Sequence, residues 1–229
     1  MESQCGRYRI VYNGEIYNVK DLRKKLQKID FKTESDTEVI VELISNFGVK
    51  KTLNLLDGMF AIGIWDKKKS ELSIARDRFG IKPLYWAIHN KSFFFSSELK
   101  TFRIIPNLKP KVKKSSIFSL LRYSCIPAPE TIFENIFKVE PGKFIVYDKN
   151  QKLIKDEFWN STSLVKNRKV ISTDLNKCSD FIESELEKTV SSTMISDVPI
   201  GSFLSGGIDS SLITALMTKF SKTKVQSYS

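Results

Sequence analysis

The chain of 229 residues has one histidine and three cysteines. Cys5, Cys125 and Cys178 form no CxxC pair and do not cluster with His89, which argues against a zinc site or a disulfide framework and leaves ordinary reduced thiols. Long apolar runs are also missing: FAIGIW and SFFFSSEL are far too short to span a bilayer as helices. The first residues lack the charged and apolar regions of a signal peptide, so the expectation is a cytoplasmic protein without a membrane partner. Lysines and arginines outnumber acids by 37 to 26, a net charge of +11, which raises the question of a nucleic-acid partner. The lysines fall in short runs such as KKK at 67–69 and KPKVKK at 109–114, without interleaved aromatics or a nucleic-acid module. A solvated basic surface is therefore expected, with no nucleic acid.

At this length one or two domains are expected. RYRIVY alternates as a strand; Val19, Leu22, Leu26 and Ile29 recur at helical spacing; Val39, Ile40, Leu43, Ile44 and Phe47 form a second helical stripe that Gly48 should stop. Three hairpins follow. MFAIGIWD and ELSIAR flank KKKS, LYWAI and SFFFSS flank a turn near His89 and Asn90, and KFIVYD and LIKDEFW flank KNQK. This describes a sheet-rich α+β domain over residues 1–159. A polar connector at 160–172 reads as a linker. From 173 to 229 the pattern becomes a helix from Leu175 to Met194 with Cys178, Ile182, Leu186 and Val190 on one stripe, then the strand DVPIGSFL, the loop SGGIDSS, the helix LITALMTKF and a strand at KVQSYS. That order is the start of a parallel α/β unit, and one β-α-β repeat cannot cover both faces of its sheet, so this second domain is expected to be incomplete.

Four stretches carry chemistry. SGGIDSS at 205–211 lies between a strand and a helix start, where unpaired N–H groups and the helix dipole favour a phosphate. Gly206 and Gly207 admit a close anion, and Ser205, Ser210 and Ser211 offer hydroxyls. Asp209 fits either as the N-cap of the next helix or as a magnesium contact. NGEIYN at 13–18 can bring the Asn13 amide and the Gly14 N–H to one point, the equipment of an oxyanion hole, although Asn-Gly is also the commonest hairpin turn. Glu15 there could accept from a substrate ammonium. In SDTEV at 35–39, Asp36 could bind an α-amino group while Ser35 and Glu38 form a capping box. RDRFGIKPLYW at 76–86 reads as a turn whose ion pairs fix neighbouring loops.

GRYRIVYNGEIYN, SDTEVI, LDGMFAIGIWD, ARDRFGIKPLYW, FSSELK, PGKFIVYD and VPIGSFLSGGIDSS together resemble glutamine-hydrolysing asparagine synthetases, over nearly the whole chain. The resemblance implies a class II glutaminase of the N-terminal-nucleophile fold, an α-β-β-α sandwich, followed by an ATP pyrophosphatase domain. It implies Asn13 and Gly14 as oxyanion donors, Asn13, Gly14, Glu15 and Asp36 as glutamine contacts, and Leu204, Ser205, Gly206, Gly207, Ile208, Asp209 and Ser210 as the ATP loop. ATP and Mg2+ are the implied cofactors; glutamine, aspartate and ATP the implied substrates; a homodimer the implied assembly. The implied reaction transfers glutamine nitrogen to an adenylated aspartate. Two alternatives stay open, a relative that amidates another carboxylate and a non-enzymatic homologue kept as a binding module. In the resembling family the nucleophile is the first residue of the mature chain. Cys5 is internal and lacks the adjacent amine that would serve as its base, so the nucleophile and an upstream arginine are expected to lie outside this sequence.

Overall fold

The computed structural model describes residues 1–166, 172–196 and 198–229. It divides into two units, Met1–Ser163 and Leu164–Ser229.

In the first unit, β1 (Tyr8–Ile16) leads to the helices α1 (Val19–Lys24), α2 (Asp36–Phe47) and α3 (Val49–Leu55). The strands β2 (Gly58–Asp66), β3 (Glu71–Arg76), β4 (Tyr85–His89) and β5 (Ser92–Ser96) follow, then a 3-10 turn at Leu99–Ile104 and α4 (Lys114–Tyr123). β6 (Phe137–Lys138), β7 (Lys143–Tyr147) and β8 (Leu153–Glu157) complete the unit, and α5 (Ser161–Lys166) runs across its boundary. The strands make two antiparallel sheets, ordered β1-β2-β3-β7-β8 and β5-β4-β6.

Period-2 alternation in β2 sets the layers. Phe60, Ile62 and Ile64 are buried with Val39, Ile40, Leu43 and Ile44 of α2, and with Leu22 and Leu53 of the flanking helices. Each such side chain contributes roughly 1.5–3 kcal/mol on burial. Ala61 faces the other way, in a cluster with Ile74, Leu84, Trp86, Val139 and Ile145 that closes the gap between the sheets. Small residues on this side of β2 let the sheets approach: a Cβ at Gly63 would lie 2.5 Å from the Phe95 ring. The Trp86 ring stacks with Phe93 at 5.6 Å and packs at a tilt against Phe137 at 4.9 Å. Beyond the second sheet, Phe102 of the 3-10 turn is buried with Ala87, Phe133 and Ile136. The unit is therefore α+β, with a helix layer, two sheets and a helical turn over the far face, as the hairpin and stripe patterns lead one to expect.

Local rules explain the boundaries. Gly48, at φ +80°, ends α2 and donates its N–H to Ile44 O at 2.9 Å, in backbone territory where a Cβ is costly. His89 pairs with Ser92, leaving the two-residue loop Asn90-Lys91 with both φ values positive, the type I′ turn whose twist suits a hairpin.

In the second unit, α6 (Leu175–Thr193), β9 (Gly201–Phe203), α7 (Ile208–Phe220) and β10 (Gln226–Tyr228) follow. β9 and β10 are parallel, with Ser202 opposite Ser227. Val190, Leu216 and Met217 form a small core with Leu186 and Ile200 beside it. The other two members of the expected α6 stripe are less covered: Cys178 is half-buried and Ile182 exposed. β9 is three residues long where a strand over 197–204 was expected; residue 197, and residues 167–171 of the connector, lie outside the described residues. Among the described residues no helix is long and apolar enough to cross a membrane.

Candidate functional site

NGEI at 13–16 is strand, not turn. β1 continues through Ile16, with Asn13 opposite Ala61, Gly14 opposite Phe60 and Glu15 opposite Met59. The hairpin reading fails because β2 crosses so tightly here that a Cβ at Gly14 would lie 2.2 Å from Met59 O and 2.8 Å from Phe60 Cα. Glycine serves close approach at this position. The Asn13 side chain points towards the second sheet and donates to Ser97 Oγ at 3.2 Å. Both residues line a cleft of about 140 Å³ together with Val11, Gly63 and Phe95.

The other edge of β1 faces the start of α2. Asp36 Oδ2 accepts from Tyr12 Oη at 2.7 Å and from Ile16 N at 3.3 Å, and its Oδ1 accepts from Thr37 Oγ1 at 3.4 Å. The carboxylate thus meets the edge of β1 at the Ile16 N–H and is held there by the Tyr12 hydroxyl. Burial, reinforced by the adjacent Asp36, pushes the Tyr12 hydroxyl far up, so it stays protonated and donates to Asp36. The structure therefore sets Asp36 against Tyr12 and Ile16 and turns the Asn13 side chain to Ser97 on the other side of the strand, with Gly14 and Glu15 between them along β1. Tyr12 was missed as a site residue because in sequence it is one more aromatic on an alternating strand.

The capping box is only half made. Ser35 Oγ accepts from Thr37 N at 3.2 Å, but Glu38 does not return to Ser35. Its carboxylate, 5% exposed, accepts from Lys32 N, Thr33 N and Thr33 Oγ1 at 2.9, 2.7 and 2.7 Å, tying down the loop before α2. Burial pushes the Glu38 carboxyl up, and these donors together outweigh it and hold it below the usual range.

In RDRFGIK the ion-pair expectation is corrected, because backbone groups do the fixing. Asp77, 1% exposed, accepts from Phe60 N, Phe79 N, Ile81 N and Lys82 N at 3.3, 3.1, 2.9 and 2.9 Å. Arg76 donates to Lys82 O, Val139 O and Gly80 O at 2.7, 2.9 and 2.6 Å. Since Phe60 pairs with Gly14, Asp77 also steadies the tight crossing at the site.

Cys5 belongs to a different place. Its Sγ lies 3.3 Å from Ser3 Oγ and 3.1 Å from Ser45 Oγ, and those hydroxyls lower its pKa. Ser45 is in the last turn of α2 and Asp36 in the first, about 13 Å apart along the helix axis. The thiol cannot reach a ligand held at Asp36.

In the second unit, Leu204 to Gly207 form the loop and α7 starts at Ile208. The N-cap is Gly207, without a side-chain cap. Asp209 is consequently not the N-cap but an exposed first-turn residue. Ser205 Oγ and Ser210 Oγ are 3.1 Å apart, and Ser210 Oγ donates to Gly207 O at 3.1 Å. Gly206 has φ +81° and open space where a Cβ would stand. Among the described residues no group of three or more His, Cys, Asp or Glu could hold a metal. Asp209 is the acidic residue in the first turn of α7, one carboxylate where a magnesium ion takes most of its ligands from water and phosphate.

A layered α+β unit followed by a β-α-β unit with an uncapped glycine loop makes this a two-part chain. The chain belongs to the glutamine amidotransferase domain family, whose model matches residues 1–159; an asparagine synthase model matches residues 182–229. It is 36% identical over 215 residues to asparagine synthetase [glutamine-hydrolyzing] 1 of Bacillus subtilis, covering 93% of this chain and 33% of that protein. A putative asparagine synthetase [glutamine-hydrolyzing] 2 of Methanocaldococcus jannaschii is 36% identical over 214 residues, covering 92% and 40%. The chain thus spans about a third of the length of these curated relatives. Among solved structures, one described as the allosteric regulatory enzyme of purine biosynthesis superposes with a TM-score of 0.49 at 18% identity, covering 100% of this chain and 46% of that one.

Proposed function

We propose that this chain carries the glutamine-recognition site and the phosphate loop of an asparagine-synthetase-type ligase. In that reaction glutamine, aspartate, ATP and water give asparagine, glutamate, AMP and pyrophosphate. The observation that carries the reading is the Asp36 carboxylate held against β1 by the Tyr12 hydroxyl and the Ile16 N–H, residues that flank Gly14 in the strand. A carboxylate accepts about four hydrogen bonds, so Asp36 can take a glutamine ammonium beside the contacts it already makes. Ile10 and Ile16 send their N–H groups to the outer edge of β1, and Gly14 shares their parity. With the Asn13 amide, it would supply donors for the oxyanion formed as the glutamine amide is attacked. Cys5 has no part in this attack.

In the second unit, the first-turn N–H groups of α7 and the open surface at Gly206 suit a pyrophosphate. ATP with magnesium supplies the activation of the carboxylate. The rest is binding: Ser205 and Ser210 offer hydroxyls, and Gly207 lets the anion approach. A cytoplasmic location and a homodimer complete the reading.

The test is to follow the full chain with glutamine, and separately with ATP and Mg2+. Glutamine should raise the unfolding midpoint seen by tryptophan fluorescence, ATP should shift the amide resonances of residues 205–210, and any ammonia release should be the same in Cys5→Ala. No stabilisation by glutamine, or ammonia release that disappears in Cys5→Ala, would refute it.

A further inference from the structure

A groove of about 570 Å³ opens on the helix layer, away from β1, between the turn after α1, the end of α2 and the start of α3. Its floor is apolar, made by Leu26, Ile29, Phe47 and Leu55, and its rim carries Lys24, Lys25, Lys28 and Lys51 without an acidic residue. Among the described residues only Lys24 of these four has an ion-pair partner, Asp21 at 2.6 Å. Helix C-termini attract cations, which accounts for Lys24 in the last turn of α1. Lys51 has no helix C-terminus beside it and lies instead over the Phe47 ring. It projects from the first turn of α3, where the helix dipole disfavours a cation and no acidic residue compensates.

We infer that this groove docks an acidic, amphipathic peptide segment of a partner protein, with one or two aliphatic side chains on the floor and Asp or Glu residues against the lysine rim. Charge complementarity selects the sign, and the recessed floor selects the class. A bilayer would need apolar groups that project, whereas Leu26 is 4% exposed and sits behind the lysines. A single-stranded nucleic acid would gain most from an open ring to stack on, and the ring lining this groove, Phe47, has Lys51 Nζ 5.0 Å from its centroid. An apolar floor with a charged rim is instead the pattern of a helix-in-groove interface, read by anchors at i, i+3 and i+7.

The probe is a fluorescein-labelled glutamate-rich peptide with leucines at i, i+3 and i+7, titrated with the full chain by anisotropy. Binding should weaken at least tenfold in Lys25→Glu/Lys28→Glu, an exposed pair whose fold is checked by circular dichroism. It should weaken similarly when the leucines become serines, and fall as salt is raised. A single-stranded oligonucleotide and phosphatidylserine vesicles are the competitors. The inference is overturned if the peptide does not bind, if the charge reversals or the serine peptide leave binding unchanged, or if oligonucleotide or vesicles displace the peptide at lower concentration than unlabelled peptide does.

Discussion

Replacing Asp77 with alanine should unfold the first unit far more easily while leaving the second alone. The carboxylate accepts four backbone N–H groups, from Phe60, Phe79, Ile81 and Lys82, in a site that is 1% exposed. Each bond to a charged acceptor is worth roughly 1.5–3 kcal/mol, and each donor left buried without a partner costs about 1–3 kcal/mol. Partial relaxation of the loop onto water should bring the loss to about 4 kcal/mol, a large share of the ~5–15 kcal/mol that holds a domain together. The assay is selective, because the three tryptophans, Trp65, Trp86 and Trp159, all lie in the first unit. With a urea slope of about 2 kcal/mol/M, the tryptophan transition should move down by about 2 M. Asp77→Asn keeps one acceptor oxygen but turns an NH2 towards N–H donors, so it should fall between the two. A shift under about 1 kcal/mol in Asp77→Ala would refute the claim that this carboxylate organises the loop and the β1–β2 crossing.

Gly14→Ala should destabilise the same transition by at least about 2 kcal/mol, because the new methyl meets Met59 and Phe60 backbone rather than a movable side chain; an unchanged midpoint would contradict the tight crossing. Glu38 has its pKa held below the ordinary value of about 4.3 in the folded state, so its stabilisation is present above that value and lost as pH falls through the folded pKa. Glu38→Gln should lower stability at neutral pH and flatten the acid limb of a pH–stability curve, and an unaltered acid limb would count against the loop anchor. Gly207→Val places a β-branched residue at φ −77°, ψ 163°, which valine adopts readily, so pyrophosphate-induced shifts at Gly206 should vanish in an intact fold; shifts of equal size would show that the anion does not use this cradle.

Elements with a strong local period were legible in the sequence. α2 and its stop at Gly48, and the hairpins β2–β3, β4–β5 and β7–β8, follow from stripe, alternation and turn chemistry. The pairing of β3 with β7, which excludes β4 to β6 from the first sheet, joins strands far apart in the chain, and local pattern does not encode that. Asp36 was singled out in the sequence, but its contact with Tyr12 depends on how α2 docks on β1. The same applies to Glu38, which prefers three donors from Lys32 and Thr33 to the single N–H of a capping box. Asn-Gly in NGEI misleads because the turn statistic assumes a free chain, whereas here the glycine answers to the neighbouring strand. Asp209 was displaced from its N-cap role when α7 began two residues earlier, with Gly207 as the cap.

The central claim, that the β1 edge at Asp36 recognises glutamine, is tested most directly by titrating the full chain with glutamine and following the Gly14 amide by NMR, in the wild type and in Asp36→Asn. The account predicts a saturable shift at Gly14 that is lost or weakened at least tenfold in Asp36→Asn and absent with a glutamine analogue lacking the α-amino group. A wild-type Gly14 amide that does not respond, or a response that Asp36→Asn leaves intact, would contradict it.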